Sequence, residues 1–380
     1  MKFQHILASF LMVTLFVSCR GKEEDAPQKP SLTVPSTYNG ADFTNNAVDE
    51  LALGTSLESL VTEMKKGNTS TTTLVSATLK NIYTAGSVSL SNTSVAGFRD
   101  AVSANDGYFD QMVLASGKTW TPETPTIGST GGVYGAYLFD ENGVEYTQVI
   151  EKGLYTASFY NRLLSLTSGN FDVAAVDQAI ALFGAHPNFV NSNNKTLHAT
   201  DFDRFSAGYV ARRDKNDGTG FYTTAKYNFI KTRAAIEAGA DYSSEKATAL
   251  QAIKMNWEKG VMATICNYAN DAQSNLSLTS PTATTDAKAL HSISEIAGFL
   301  SGWSYIAESD RIVTDAQLAD CFGFVNYTTT GTPSIYLFQT DRVNQISKLT
   351  SLRTKLKQVY GFSDQDLIDF NTDWVSSQAR

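Results

Sequence analysis

An all-α fold of one or two helical bundles is predicted, and three observations predict it. Apolar residues recur at three- and four-residue spacing through most of the chain after Val48. Glycines stand where those periodic segments break off, as they do at helix ends. Alternating apolar and polar runs, the mark of half-buried strands, have almost no claim. Short connections between the helices imply antiparallel neighbours.

Taken in order, Leu51, Leu53, Leu57, Leu60, Val61 and Met64 predict a helix that stops at Gly67, and Leu74, Leu79, Ile82 and Tyr83 a second that stops at Gly86. Residues 89–100 read as a loop and a short helix. The stretch 119–135, with Pro122, Pro125 and four glycines, is the one long irregular segment of the first half. The clearest amphipathic helix covers 145–166, where Tyr146, Val149, Ile150, Leu154, Ala157, Tyr160, Leu163 and Leu164 share a face. Further helices are predicted at 173–183, 202–212, 222–238 and 243–272, with Gly184, Gly218 and Gly239 as stops. After a Ser/Thr/Pro loop at 277–285, helices follow at 286–307, 314–322, 341–360 and 363–370.

The N-terminus carries an address. Lys2 precedes an apolar run at 6–17, broken only by Ser9 and Thr14 and ending Phe16-Val17-Ser18-Cys19. The run is shorter than the roughly 20 apolar residues that span a bilayer, and a basic start with a small residue before cysteine reads as a signal peptide. It resembles a bacterial lipobox, which makes 1–18 the signal and Cys19 the acylated first residue of the mature chain. Several acyl chains anchor far more firmly than one. Residues 19–35, with a charged cluster and Pro27, Pro30 and Pro35, read as a flexible tether; residues 36–380 then form the helical domain, with halves at 36–240 and 241–380. The acidic triplet Glu23-Glu24-Asp25 resembles an export signal of Bacteroidetes-type lipoproteins, so the expected location is the outer membrane, at the cell surface rather than the periplasmic face.

Composition excludes several classes. The net charge of −8 becomes −9 when Lys2 leaves with the signal, which argues against nucleic acid as a partner. Cys266 and Cys321 are the thiols that remain, either bridged or separately buried, and no Cys/His spacing for zinc is present. The 17 Tyr and 21 Phe indicate an aromatic interior or exposed rings that stack on sugars.

Few constellations suggest chemistry. His291 and Glu295 are four apart on a predicted helix, which stacks imidazole and carboxylate on one face where they share either a metal or a proton. Glu145 and Glu151 on the facing helix are weaker additional metal candidates. The alternative is a hydrogen bond from His291 to Glu295 that satisfies polar groups between helices, with Gly298 letting a neighbouring helix approach closely. His186 sits in Gly184-Ala185-His186-Pro187-Asn188, with Phe189 where a GxHxxE pattern would need its carboxylate. Asp140 to Glu145, Asp201 to Asp203 and Asp214 to Gly218 are oxygen-rich but lack a calcium-loop spacing and read as turns and caps. Gly117-Lys118-Thr119 is a chance match to a phosphate loop, and no nucleophile with an evident base appears.

Three segments in order, Val34-Pro35-Ser36-Thr37-Tyr38, Asn142-Gly143-Val144-Glu145-Tyr146-Thr147-Gln148-Val149-Ile150-Glu151-Lys152-Gly153-Leu154 and His291-Ser292-Ile293-Ser294-Glu295-Ile296-Ala297-Gly298-Phe299, resemble a family of Bacteroidetes lipoproteins catalogued as domain of unknown function 4856. The resemblance runs from about residue 34 to near the C-terminus. It implies a relation to imelysin-like proteins, which pair two helical bundles and are associated with outer-membrane iron uptake or peptidase activity. Ala174 and Gln178 stand where the family is expected to carry His and Glu, and 174–183 and 291–300 would be corresponding helices of a duplicated bundle. A centre needing both halves would then be crippled.

The leading expectation is a lipid-anchored protein without catalysis that binds a ligand or partner, in metal or iron acquisition, with a divalent metal or iron at His291 and Glu295 and an outer-membrane transporter as partner. An imelysin-like metallopeptidase and a glycan-binding lipoprotein of an uptake system are the alternatives.

Overall fold

A computed structural model describes residues 29–380, and helix dominates them. Cys19 and the signal lie outside the described residues. The helices are α1 (Val48–Lys65), α2 (Ser76–Thr84), α3 (Ala96–Ser103), α4 (Tyr108–Ala115), α5 (Tyr146–Leu154), α6 (Asn161–Thr167), α7 (Val173–Phe183), α8 (Phe205–Arg213), α9 (Phe221–Ala238), α10 (Ser243–Leu276), α11 (Ala283–Ser304), α12 (Asp315–Phe324), α13 (Arg342–Tyr360) and α14 (Asp364–Asp369), with shorter helical turns between some of them. The all-α class is therefore correct. No helix among the described residues is long and apolar enough to cross a membrane.

Three details depart from the periodicity. First, the irregular stretch ends in a hairpin: β1 (Gly132–Tyr134) pairs antiparallel with β2 (Tyr137–Phe139), in the register Gly132 with Phe139. Gly135, at φ 61°, supplies the positive φ that a two-residue hairpin loop needs. A Cβ there would lie 2.6 Å from that of Ala287, so the loop rests directly on α11. Second, the helix expected over 145–166 is continuous but changes winding. Tyr155–Tyr160 form a π-helical turn between α5 and α6, and all six of its residues are buried. Third, α8 starts at Phe205 because Asp203 is held away from helix geometry. Its carboxylate accepts the Ser192 N–H at 2.7 Å and the Tyr222 hydroxyl at 2.7 Å.

The long helix α10 runs 34 residues and packs against α8, α9, α11 and α13. Trp257 at its middle is fully buried, and one apolar cluster extends from Tyr38 to Val375. Gly239, at φ 97°, turns the chain from α9 to α10. Cys266 and Cys321 are separate buried thiols, both pushed up to about 12 chiefly by burial.

Asp177 ties the N-terminal segment to this core. It is fully buried on α7 and accepts the Tyr38 hydroxyl at 2.6 Å and the Asn46 amide at 2.7 Å, with Arg233 at 3.7 Å. Asp177→Ala leaves the Tyr38 hydroxyl and the Asn46 amide without their acceptor, while Arg233 keeps Glu237 at 2.8 Å; it should cost about 1–3 kcal/mol, read from the urea midpoint. Limited proteolysis should then cut within 29–46 faster than in the parent. The start of the described chain also has contacts, since Lys29 pairs with Glu245 at 2.6 Å and the Tyr242 hydroxyl donates to the Pro30 carbonyl at 3.0 Å.

Candidate functional site

The approach of α5 to α11 creates the site. An added Cβ at Gly298 would lie 2.5 Å from the Gln148 carbonyl oxygen, and one at Gly302 would lie 2.7 Å from that of Gly153. Only glycine admits such backbone proximity, so the close approach expected at Gly298 is realised. It brings side chains of the two helices into direct contact. His291 Nδ1 lies 2.6 Å from Glu145 Oε2, and His291 Nε2 lies 3.6 Å from Glu295 Oε2. Glu145 is held in turn by Gln148, whose amide donates to Oε1 at 3.2 Å, while its own N–H donates to Ser294 Oγ at 3.0 Å. Tyr137 of the hairpin stacks on the imidazole at 4.2 Å between ring centres.

Two turns beyond Glu145 on α5, Lys152 occupies the centre. Its ammonium lies 3.0 Å from Glu151 and 3.4 Å from Glu295, and 4.9 Å from the ring centre of Tyr209. The Tyr155 hydroxyl donates to Glu151 at 2.8 Å, and that of Tyr209 to Glu295 at 3.5 Å. His291, Glu295, Glu145 and Glu151 thus belong to one network, with Lys152 bridging its two ends.

Burial and charge compete in this network. Burial alone would lower Lys152 and His291 and raise Glu151. Neighbouring opposite charges outweigh it: Glu151 and Glu295 raise Lys152, Glu145 and Glu295 raise His291, and Lys152 and Lys65 hold Glu151 below its ordinary value. Stability should therefore depend on pH on both sides. The raised imidazole contributes fully below the unfolded histidine value of about 6.5 and loses its contribution as pH rises through its higher folded value. Asp140 and Asp203, both raised to about 7 chiefly by burial, push the same way, losing their contribution as pH rises from the ordinary carboxylate range. The depressed Glu151 contributes above about 4.5 and fails as pH falls through its lower folded value. The urea midpoint should peak at roughly pH 4 to 5, where Glu151 is fully ionised and Asp140 and Asp203 have barely begun to lose their contribution, and His291→Gln should flatten the part of the alkaline limb above about pH 6.5.

Beside the network opens a cleft of about 550 Å³ between α1, α8 and the loop before α8. Glu151, Tyr155, Tyr209 and Arg212 form its wall toward the network, and Lys195, Phe202, Arg204 and Phe205 lie on the loop side. Arg204 pairs with Glu58 at 3.4 Å. The Arg212 guanidinium lies 4.3 Å over the ring of Tyr209, and its Nε is buried without a hydrogen-bond partner among the described residues.

The other sequence candidates serve the fold. Asp140 accepts the N–H groups of Asn142 and Val144, and Asp214 those of Asn216 and Thr223; these are turns and a cap, as expected. His186 Nδ1 accepts the Asn188 N–H at 3.2 Å, and His198 faces Asp201 at 3.3 Å. Phe189, in place of the GxHxxE carboxylate, is buried against Tyr38 and Phe229. Trp257 and Trp303 are fully buried, and Tyr227 is the one aromatic among the large exposed apolar side chains of the described residues.

A metal at His291 and Glu295 meets a chemical obstacle. Both imidazole nitrogens face carboxylates, both Glu295 oxygens face cationic groups or hydroxyls, and a divalent cation would have to displace the Lys152 ammonium. Among the described residues, no group of three or more His, Cys, Asp and Glu side chains is arranged to hold a metal ion. Lys152 is the residue that sequence reasoning missed. It lies seven residues after Glu145 and three after Val149, on the buried face of α5, and a lysine at such a position requires a partner. Tyr209, Arg212 and Tyr137 come from segments with no local signal.

No family model, curated protein or solved structure matches the chain.

Proposed function

We propose that the protein is a lipid-anchored binding protein of the outer membrane, held through Cys19 and displayed at the cell surface, whose ligand occupies the cleft beside Tyr209 and Arg212. One observation carries the binding reading. A cavity of ligand size, about 550 Å³, has polar and aromatic walls but no serine, cysteine or histidine among its lining residues. Such a wall holds and orients a solute. The lipobox at Cys19 and the acidic residues after it support the address. The resemblance to imelysin-like lipoproteins supports service to an outer-membrane transporter in metal or iron acquisition.

Two experiments test this reading. Cys19→Ala should shift most of the protein from the membrane pellet to the soluble fraction of cells, and surface protease should digest the parent on intact cells. For the cleft, a thermal-shift screen of neutral, cationic and anionic solutes should yield stabilising ones whose effect disappears in Thr62→Trp, which fills the mouth from an exposed position on α1. A screen in which no solute depends on Thr62 would overturn the cleft assignment.

A further inference from the structure

Two of the cations lining the cleft have no carboxylate of their own. Glu58 is paired with Arg204 and Glu151 with Lys152. Asp203 points away, into donors from Ser192 and Tyr222. Two cations are left over. Lys195 lies 5.0 Å over the ring of Phe202 and Arg212 lies 4.3 Å over that of Tyr209, and neither has a carboxylate within ion-pair distance among the described residues. Arg212 is the more constrained of the two: its Nε is buried without a partner and its guanidinium lies against the Tyr209 ring, so an incoming acceptor meets its terminal nitrogens.

Resting on the cleft as the ligand site, we propose that its ligand is an organic anion carrying at least one carboxylate on a flat apolar body. The guanidinium of Arg212 is a planar fork that matches a carboxylate with two parallel hydrogen bonds. The rings of Tyr155, Phe202 and Phe205 supply apolar walls beside it, and Lys195 near the mouth takes a second anionic group. An inorganic anion would meet the same cation but leave those walls empty. A cationic solute would be repelled by Arg212 and Lys195, and a neutral one would leave their charges unmatched.

Isothermal titration of the purified chain with phthalate, benzoate, inorganic phosphate and benzylamine tests this. Phthalate should bind more tightly than benzoate and both more tightly than phosphate, with no heat from benzylamine. Arg212→Lys keeps the charge but loses the fork and should weaken phthalate at least tenfold, while Lys195→Gln should reduce phthalate toward benzoate. Unchanged melting temperature of Arg212→Lys shows that the loss is local. Binding of benzylamine or neutral solutes that Thr62→Trp abolishes would overturn the anion assignment and keep the cleft. Phosphate tighter than phthalate would overturn the organic body, and no Thr62-dependent binding of any solute would overturn both readings together.

Discussion

Lys152→Met should destabilise the protein by about 3–5 kcal/mol, because it removes the only ammonium between two buried carboxylates. The Lys152 side chain is 3% exposed and that of Glu295 5%, so water cannot replace the lost charge. Methionine fills much the same volume, which keeps the packing term small and isolates the electrostatic one. Glu295→Gln in the same chain should recover part of the loss by deleting one of the stranded charges, a coupling that a double-mutant cycle measures directly. Urea denaturation at pH 6 is the readout. A loss below about 1 kcal/mol, the range of exposed ion pairs, would show that the network is hydrated.

Enlarging the glycines between α5 and α11 is the second large effect. Gly298→Ala puts a methyl 2.5 Å from a backbone oxygen and 3.0 Å from the Val149 Cα, and Gly302→Ala puts one 2.7 Å from the Gly153 oxygen. These obstacles are backbone, so the helices must part rather than repack. Each change should cost about 1–3 kcal/mol and the pair about 3 kcal/mol or more. Separation would also lengthen the 2.6 Å contact between His291 and Glu145, so the double variant should flatten the alkaline limb of the pH profile as His291→Gln does. Gly323→Ala on α12, where an added Cβ meets nothing within 4 Å, is the control. It should be neutral or slightly stabilising through helix propensity.

Much of the helical architecture was readable because helix periodicity is local. Val173–Phe183 begins and ends where its spacing and Gly184 said it would, and the helices at 222–238 and 341–360 moved by a residue. Where the reading failed, distant groups had intervened. Asp203 delayed α8 by accepting hydrogen bonds from Ser192 and Tyr222, groups that no window of sequence around it contains together. Gly298 carried a readable meaning because its absent side chain can be noted without knowing the neighbour.

The candidate site shows the same division. His291 and Glu295 could be paired from their spacing, since residues four apart on a helix face each other in any helix. That Glu145 would be the group 2.6 Å from the imidazole, that Lys152 would sit between Glu151 and Glu295, and that Arg212 would be left unpaired beside a cleft depended on how four helices and a loop converge. The helices and their faces were legible along the chain, because spacing and residue type act over a few residues. Only the tertiary structure decided which charges are matched and which are left over, because Coulomb energy and desolvation depend on separation and burial rather than on position along the chain.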